Sequence, residues 1–87
     1  MMHVTLISPE SSQFDGVATS MIAPAFDGEV GILPRHAPFM TLLGEGQLVI
    51  RTEAGEQRFH VRGGFLQVVD DAVRVVAEHV KGGTDAA

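Results

Sequence analysis

The side chains able to do chemistry are few and scattered. Of the four histidines, His3, His36, His60 and His79, none stands in a His-x-His, His-x-x-x-His or Glu-x-x-His pairing that would seat two metal ligands on one element. The chain has no cysteine, which removes thiolate ligation, a cysteine nucleophile and a disulfide framework together. Ser11, Ser12 and Ser20 lie outside any Gly-x-Ser-x-Gly elbow, and Ser8 to Ser12 reads as a polar turn. Gly28 and Gly31 sit in a glycine-spaced loop, but no Gly-Lys-Ser/Thr closes it and no helix follows to aim a positive dipole end at a phosphate. Asp70 and Asp71 are neighbours at a turn, where strand alternation sends their side chains apart. These residues lead us to expect no catalytic site, no bound cofactor and no metal. The alternative is a free-standing small β-sandwich that binds a ligand or a metal, which requires His3, His36 or His60 to converge in a pocket.

The charge pattern excludes further classes of partner. The net charge is -5, and Arg35, Arg51, Arg58, Arg62, Arg74 and Lys81 are dispersed along the 87 residues. Nucleic acid and anionic lipid both need concentrated positive charge, so neither is expected to bind. No apolar run approaches the roughly 18 residues that span a bilayer, so no direct insertion into a membrane is expected. The start lacks the basic region and long apolar core of a signal peptide.

The elements that must carry these residues are short and β-prone. Runs at His3 to Ser8, Gly16 to Ala23, Glu29 to Ile32, Phe39 to Leu43 and Gln47 to Arg51 are separated by glycine, proline and aspartate. Phe59 and Val61 alternate with Arg58, His60 and Arg62, which marks a strand with one wet face. Gly64 to Val69 and Val73 to Glu78 flank Asp70-Asp71, a two-residue hairpin turn. About eight strands with tight connections predict an all-β chain, folded as two packed antiparallel sheets over residues 1–80, followed by a flexible tail over 81–87.

The loop from Asp27 to Leu43 is the most informative stretch. Pro34 and Pro38 fix φ at two points, and an apolar run follows them. Such a segment either plugs the end of a sandwich or presents a stiff backbone for a protein partner, and residue types alone leave both readings open.

Its residues also carry a resemblance. Gly28, Glu29, Gly31, Ile32, Leu33, Pro34, His36, Ala37 and Pro38 are similar to the signature of the epsilon subunit of F-type ATP synthases. The Ser8-Pro9-Glu10 turn, the Phe14-Asp15-Gly16 step, the Gly63-Gly64-Phe65-Leu66-Gln67-Val68 strand and the closing strand Val73 to Glu78 also resemble that family in order and spacing. A departure falls at Ala25-Phe26, where the family often has glycine after the proline. The resemblance implies a flattened β-sandwich of about ten strands, and a chain that ends before the family's inhibitory C-terminal helical hairpin.

It also implies a non-catalytic rotor subunit of the central stalk, held at the cytoplasmic face of the bacterial inner membrane through the enzyme complex. There it would join the gamma shaft to the ring of c subunits and couple ion translocation, commonly of protons, to ATP synthesis. By the same resemblance Asp27, Glu29, Gly31, Ile32, Leu33, Arg35 and His36 are expected to face the c-ring, and Phe14, Pro38, Phe39 and Met40 to face gamma. For the latter four, ordinary core packing is the competing reading.

Overall fold

The computed structural model describes residues 1–85, with side chains through Gly82. Eight strands follow one another: β1 (Met2–Ile7), β2 (Ser12–Ala18), β3 (Ser20–Ala25), β4 (Gly28–Ile32), β5 (Phe39–Leu42), β6 (Gly46–Thr52), β7 (Gly55–Val69) and β8 (Ala72–Asp85). No helix occurs among the described residues, so none is long and apolar enough to cross a membrane. The strands form one hydrogen-bonded sheet in the order β2-β1-β8-β7-β6-β3-β4, with β5 pairing to β7 off that path.

A single sheet becomes a sandwich because β7 and β8 are long enough to serve both layers. The first half of β7 pairs with β6 from Thr52↔Gly55 to Gly46↔Val61, and its second half pairs with β5 from Leu42↔Phe65 to Phe39↔Val68. One layer is therefore β2-β1-β8-β7-β5 and the other is β8-β7-β6-β3-β4. Counting the halves of β7 and β8 separately gives five segments in each, the ten implied by the family resemblance. Every pairing is antiparallel except β1 with β8, which run parallel from His3↔Ala72 to Ile7↔Val76.

Counting eight strands from the sequence matches the total through two offsetting differences. The run Gly16 to Ala23 is split near Thr19 into β2 and β3, which belong to different layers. Conversely, the runs on either side of Gly63 are one strand. Gly63 and Gly64 have φ of 72° and 104°, so the chain turns there without leaving the ladder. Inward-facing positions change parity across this corner, from Phe59 and Val61 to Leu66 and Val68 in β7.

The strand β8 also runs beyond the expected domain end at Val80. It stays paired with β7 through Asp85, with a register shift opposite Arg58 and Phe59 and a positive φ at Gly82. The first half of β7 would otherwise expose a row of unpaired backbone groups on that side. Ala86 and Ala87, the last residues of the expected tail, lie outside the described residues.

Alternation builds the core. Met2, Val4 and Leu6 of β1 face inward while His3 and Thr5 face out. Leu48 and Ile50 of β6, Phe59 and Val61 of β7 and Val73, Val75 and Ala77 of β8 complete the same cluster, all of them buried. Each large apolar side chain buried in this way contributes about 1.5–3 kcal/mol.

A Cβ on Gly64 would lie 1.8 Å from the Val76 carbonyl oxygen, and nothing lies within 4 Å of one placed on Gly31. We expect Gly64→Ala to destabilise the domain by about 3 kcal/mol or more, and Gly31→Ala to stay within about 0.5 kcal/mol of wild type. Urea unfolding of both variants checks the pair.

Candidate partner-binding surfaces

The two outer faces of the sandwich differ in chemistry. On the β8-β7-β6-β3-β4 layer the outward positions of β6 and β7 are mostly polar or charged, with Val49 the apolar exception. Glu56 accepts hydrogen bonds from Arg51 Nε at 2.8 Å and from Arg58 Nη2 at 2.6 Å, and Arg58 also donates to Gln47 at 3.0 Å. His60 and Glu45 lie 3.2 Å apart beside this group. The Arg51 hydrogen bond, aided by Arg58, holds the Glu56 carboxyl below its ordinary 4.5 against partial burial.

On the β2-β1-β8-β7-β5 layer the outward positions combine polar residues such as His3, Thr5, Gln67 and Arg74 with an apolar stripe. Met40 and Leu42 of β5 are 61 % and 63 % exposed, and they stand opposite Gln67 and Phe65 of β7. Phe65 is in turn opposite Val76 of β8, and Val76 is opposite Ile7 of β1. The Phe26 amide donates to the Leu42 carbonyl at 3.1 Å, which sets Phe26, 67 % exposed, at the end of this stripe. A continuous run of large apolar side chains from Phe26 across β5, β7 and β8 marks a surface suited to a protein partner.

The loop between β4 and β5 crosses from one layer to the other. The His36 amide donates to the Leu33 carbonyl at 3.2 Å, closing a β-turn over Leu33, Pro34, Arg35 and His36. Arg35 has φ of 69°; with proline at the second position and positive φ at the third, the turn is type II. His36 is half-buried, and its ring stacks tilted on Phe39 at 5.5 Å.

Six of the seven residues expected at the c-ring occupy β4, its flanking turns and this loop with accessible positions. Asp27, Glu29, Gly31, Leu33 and Arg35 are exposed and His36 is half-buried. Ile32 is the exception. It is 1 % exposed and belongs to the core, because it opposes the inward-facing Met21 across the β3–β4 ladder, so its side chain anchors the loop and is not offered to a partner.

The four residues expected at gamma are not brought together. Phe14 lies in β2 and Phe39 and Met40 in β5, opposite edges of one layer separated by four strand spacings, roughly 19 Å. Phe14 and Phe39 are partly buried against the core, in keeping with the competing reading. Pro38 is exposed ahead of β5, and Met40 alone of the four lies on the apolar stripe. Sequence reasoning missed Phe26, Leu42, Phe65 and Val76. The alternation in β5, with Phe39 and Thr41 inward and Met40 and Leu42 outward, is the signal that a uniformly apolar run concealed.

His3 and His36 lie apart from the other histidines, while His60 and His79 border one groove. His3 contacts Asp15, His36 stacks on Phe39, His60 contacts Glu45 and His79 is exposed. Among the described residues no group of three or more His, Cys, Asp or Glu side chains is placed to hold a metal. A groove of about 720 Å³ is bordered by Glu10, Glu45, His60, Arg62, Glu78 and Lys81, among others. It is open and carries both signs of charge, unlike the enclosed apolar pockets that take small molecules.

Residues 1–83 match the family described as ATP synthase, Delta/Epsilon chain, beta-sandwich domain. The chain belongs to this family. It is similar to the ATP synthase epsilon chain of Alkalilimnicola ehrlichii, with 41 % identity over 78 residues that cover 88 % of this chain and 56 % of that protein. It is 37 % identical over 78 residues to the ATP synthase epsilon chain of Caulobacter vibrioides, covering 90 % of this chain and 91 % of that one. The chain thus spans little more than half of the first relative and most of the second. Its fold is similar to a chain in the cryo-EM structure of Euglena gracilis mitochondrial ATP synthase with OSCP, F1 and c-ring. That match has a TM-score of 0.86 and 20 % identity, and covers 93 % of this chain and 52 % of the other.

The lowered Glu56 value fixes the sign of a pH effect. A carboxylate whose folded pKa is depressed stabilises the fold above its unfolded pKa, and that contribution is lost as pH falls through the folded value. Glu56→Gln is therefore expected to lower the thermal midpoint at pH 7. The gap from wild type should narrow as pH drops below 4.5, as thermal melts of both proteins from pH 7 to pH 3 will show.

Proposed function

We propose that the chain is a non-catalytic subunit of the central stalk of an F-type ATP synthase, joining the gamma shaft to the c-ring at the cytoplasmic face of the bacterial inner membrane. The observation that carries this reading is one sandwich with a continuous buried core bearing two outer regions of dissimilar chemistry. An apolar stripe made of Phe26, Met40, Leu42, Phe65 and Val76 suits a permanent interface with the shaft. The stiff, polar segment with Glu29, Arg35 and His36 suits a surface that sets register against polar loops of the ring more than it adds affinity.

The division of roles follows from packing. A close-packed interior deforms little under load, so torque entering at the loop leaves at the stripe without being absorbed between them. The subunit transmits and does no chemistry of its own. A ligand-binding role is less well supported, since the groove bordered by Glu45, His60 and Lys81 is open and carries both signs of charge.

Leu42 is 63 % exposed, so replacing it perturbs a partner more than the fold. With the matching gamma subunit, the wild-type chain is expected to give a one-to-one complex in gel filtration. Leu42→Glu should weaken that complex by about tenfold or more, with a thermal midpoint within about 4 °C of wild type. Absence of a wild-type complex with folded gamma, or full coupling in an enzyme rebuilt without this chain, would sink the reading.

A further inference from the structure

Arg35 occupies a backbone position that ordinarily selects glycine. The third residue of a type II turn needs positive φ, where a Cβ crowds the backbone, and Arg35 sits there at 69°. Pro34 before it cannot relieve the demand, because its ring fixes the second position of the turn. A non-glycine residue held in this region points to a use for its side chain and to something nearby that holds the backbone in place.

The holding group is Asp71. Its Oδ1 accepts a hydrogen bond from the Arg35 amide at 2.5 Å, and its backbone carbonyl accepts one from the His3 amide at 2.8 Å. Asp71 is itself in left-handed backbone, φ 62°, beside Asp70 at φ 50°. Two successive positive φ values make the β7–β8 connection a type I′ turn, the form that matches the twist of a tight hairpin. The hairpin turn of one layer thus carries a carboxylate across to the tip of the loop between layers. Among the described residues the Arg35 guanidinium makes no hydrogen bond or ion pair within the chain, and the residue is exposed.

We infer that Asp71 is a positioning residue for the partner-facing loop: its carboxylate lets arginine stand where the turn would select glycine, and so presents the Arg35 guanidinium outward to an acceptor-bearing partner. A guanidinium offers five donors in a fixed fork, so it reads carboxylates or clustered carbonyls and needs its backbone held to keep that aim. This rests on the reading of the loop as facing the c-ring. It adds a residue 36 positions away in sequence, on a different element, to the set that determines the contact.

Two measurements separate this inference from the reading beneath it. In the chain alone, Asp71→Ala is expected to speed amide hydrogen exchange at Arg35 and His36 about tenfold. In an Arg35→Gly background the same change should speed exchange at His36 only about twofold, since glycine holds the turn unaided and the two sites are coupled. Equal increments at His36 in both backgrounds, or none, would overturn the inference whatever the partner.

In the gamma complex, binding to purified c-ring should fall about tenfold for Asp71→Ala. Asp71→Asn, whose amide oxygen can still accept from Arg35, should stay near wild type. If exchange responds as expected but c-ring affinity does not change, Asp71 shapes the turn without serving the contact and the positioning role is refuted. If the wild-type complex itself fails to bind the ring, it is the proposed c-ring contact that fails, and the exchange result still decides the turn.

Discussion

Everything in this fold depends on the corner at Gly63 and Gly64. There the longest ladder of the molecule, β7 with β8, passes from one layer into the other in one register, skipping only the pair at Gly63 between Arg62↔His79 and Gly64↔Ala77. The Gly64 backbone runs so close to Val76 that no side chain fits between them, and Glu78 fills the space beside Gly63. The two layers are therefore parts of one sheet as well as surfaces pressed together by apolar contact. A force applied to one layer reaches the other through backbone hydrogen bonds in addition to side-chain packing, which makes the body stiffer than a sandwich of two separate sheets.

That continuity permits the faces to specialise. Once the interior is filled from both layers, the outward positions are under no common demand. One face has become a lattice of Arg51, Glu56, Arg58 and Gln47, and the other an apolar stripe. Exposed ion pairs add little to stability, so the charged face is best understood as a soluble surface with a defined shape. The stripe costs solubility when bare, a cost that the proposed interface with the shaft would remove. Phe26, 67 % exposed, belongs to that stripe.

Much of this was legible in the sequence because β-structure announces itself locally. The turn dipeptides, the alternation of Phe59 and Val61 with charged neighbours, and the type I′ turn at Asp70-Asp71 all encode short-range geometry. The split at Thr19 and the fusion across Gly63 were not legible, since both depend on which layer a segment joins, and that is decided by residues far along the chain. The same holds for the surfaces. The loop could be picked out by its prolines and glycines, but whether Ile32 points in or out, and whether Phe14 meets Phe39, is set by register and strand order. The link from Arg35 to Asp71 has no local signal, because arginine at the third position of a Leu-Pro-Arg-His turn looks like an ordinary surface residue until its φ is known.

The parallel pairing of β1 with β8 bears on how the chain comes into being. Met2–Ile7 is the first of the described strands to be made, and one of its two neighbours, β8, is the last of them. Until Ala72 to Val76 emerge, β1 and β2 form only a lone hairpin, with Val4 and Leu6 lacking the interior that will cover them. Contacts of such wide sequence separation are slow to form, and the layer that bears the apolar stripe cannot close before β8 is made. Closing that layer joins the first described strand of the domain to the last.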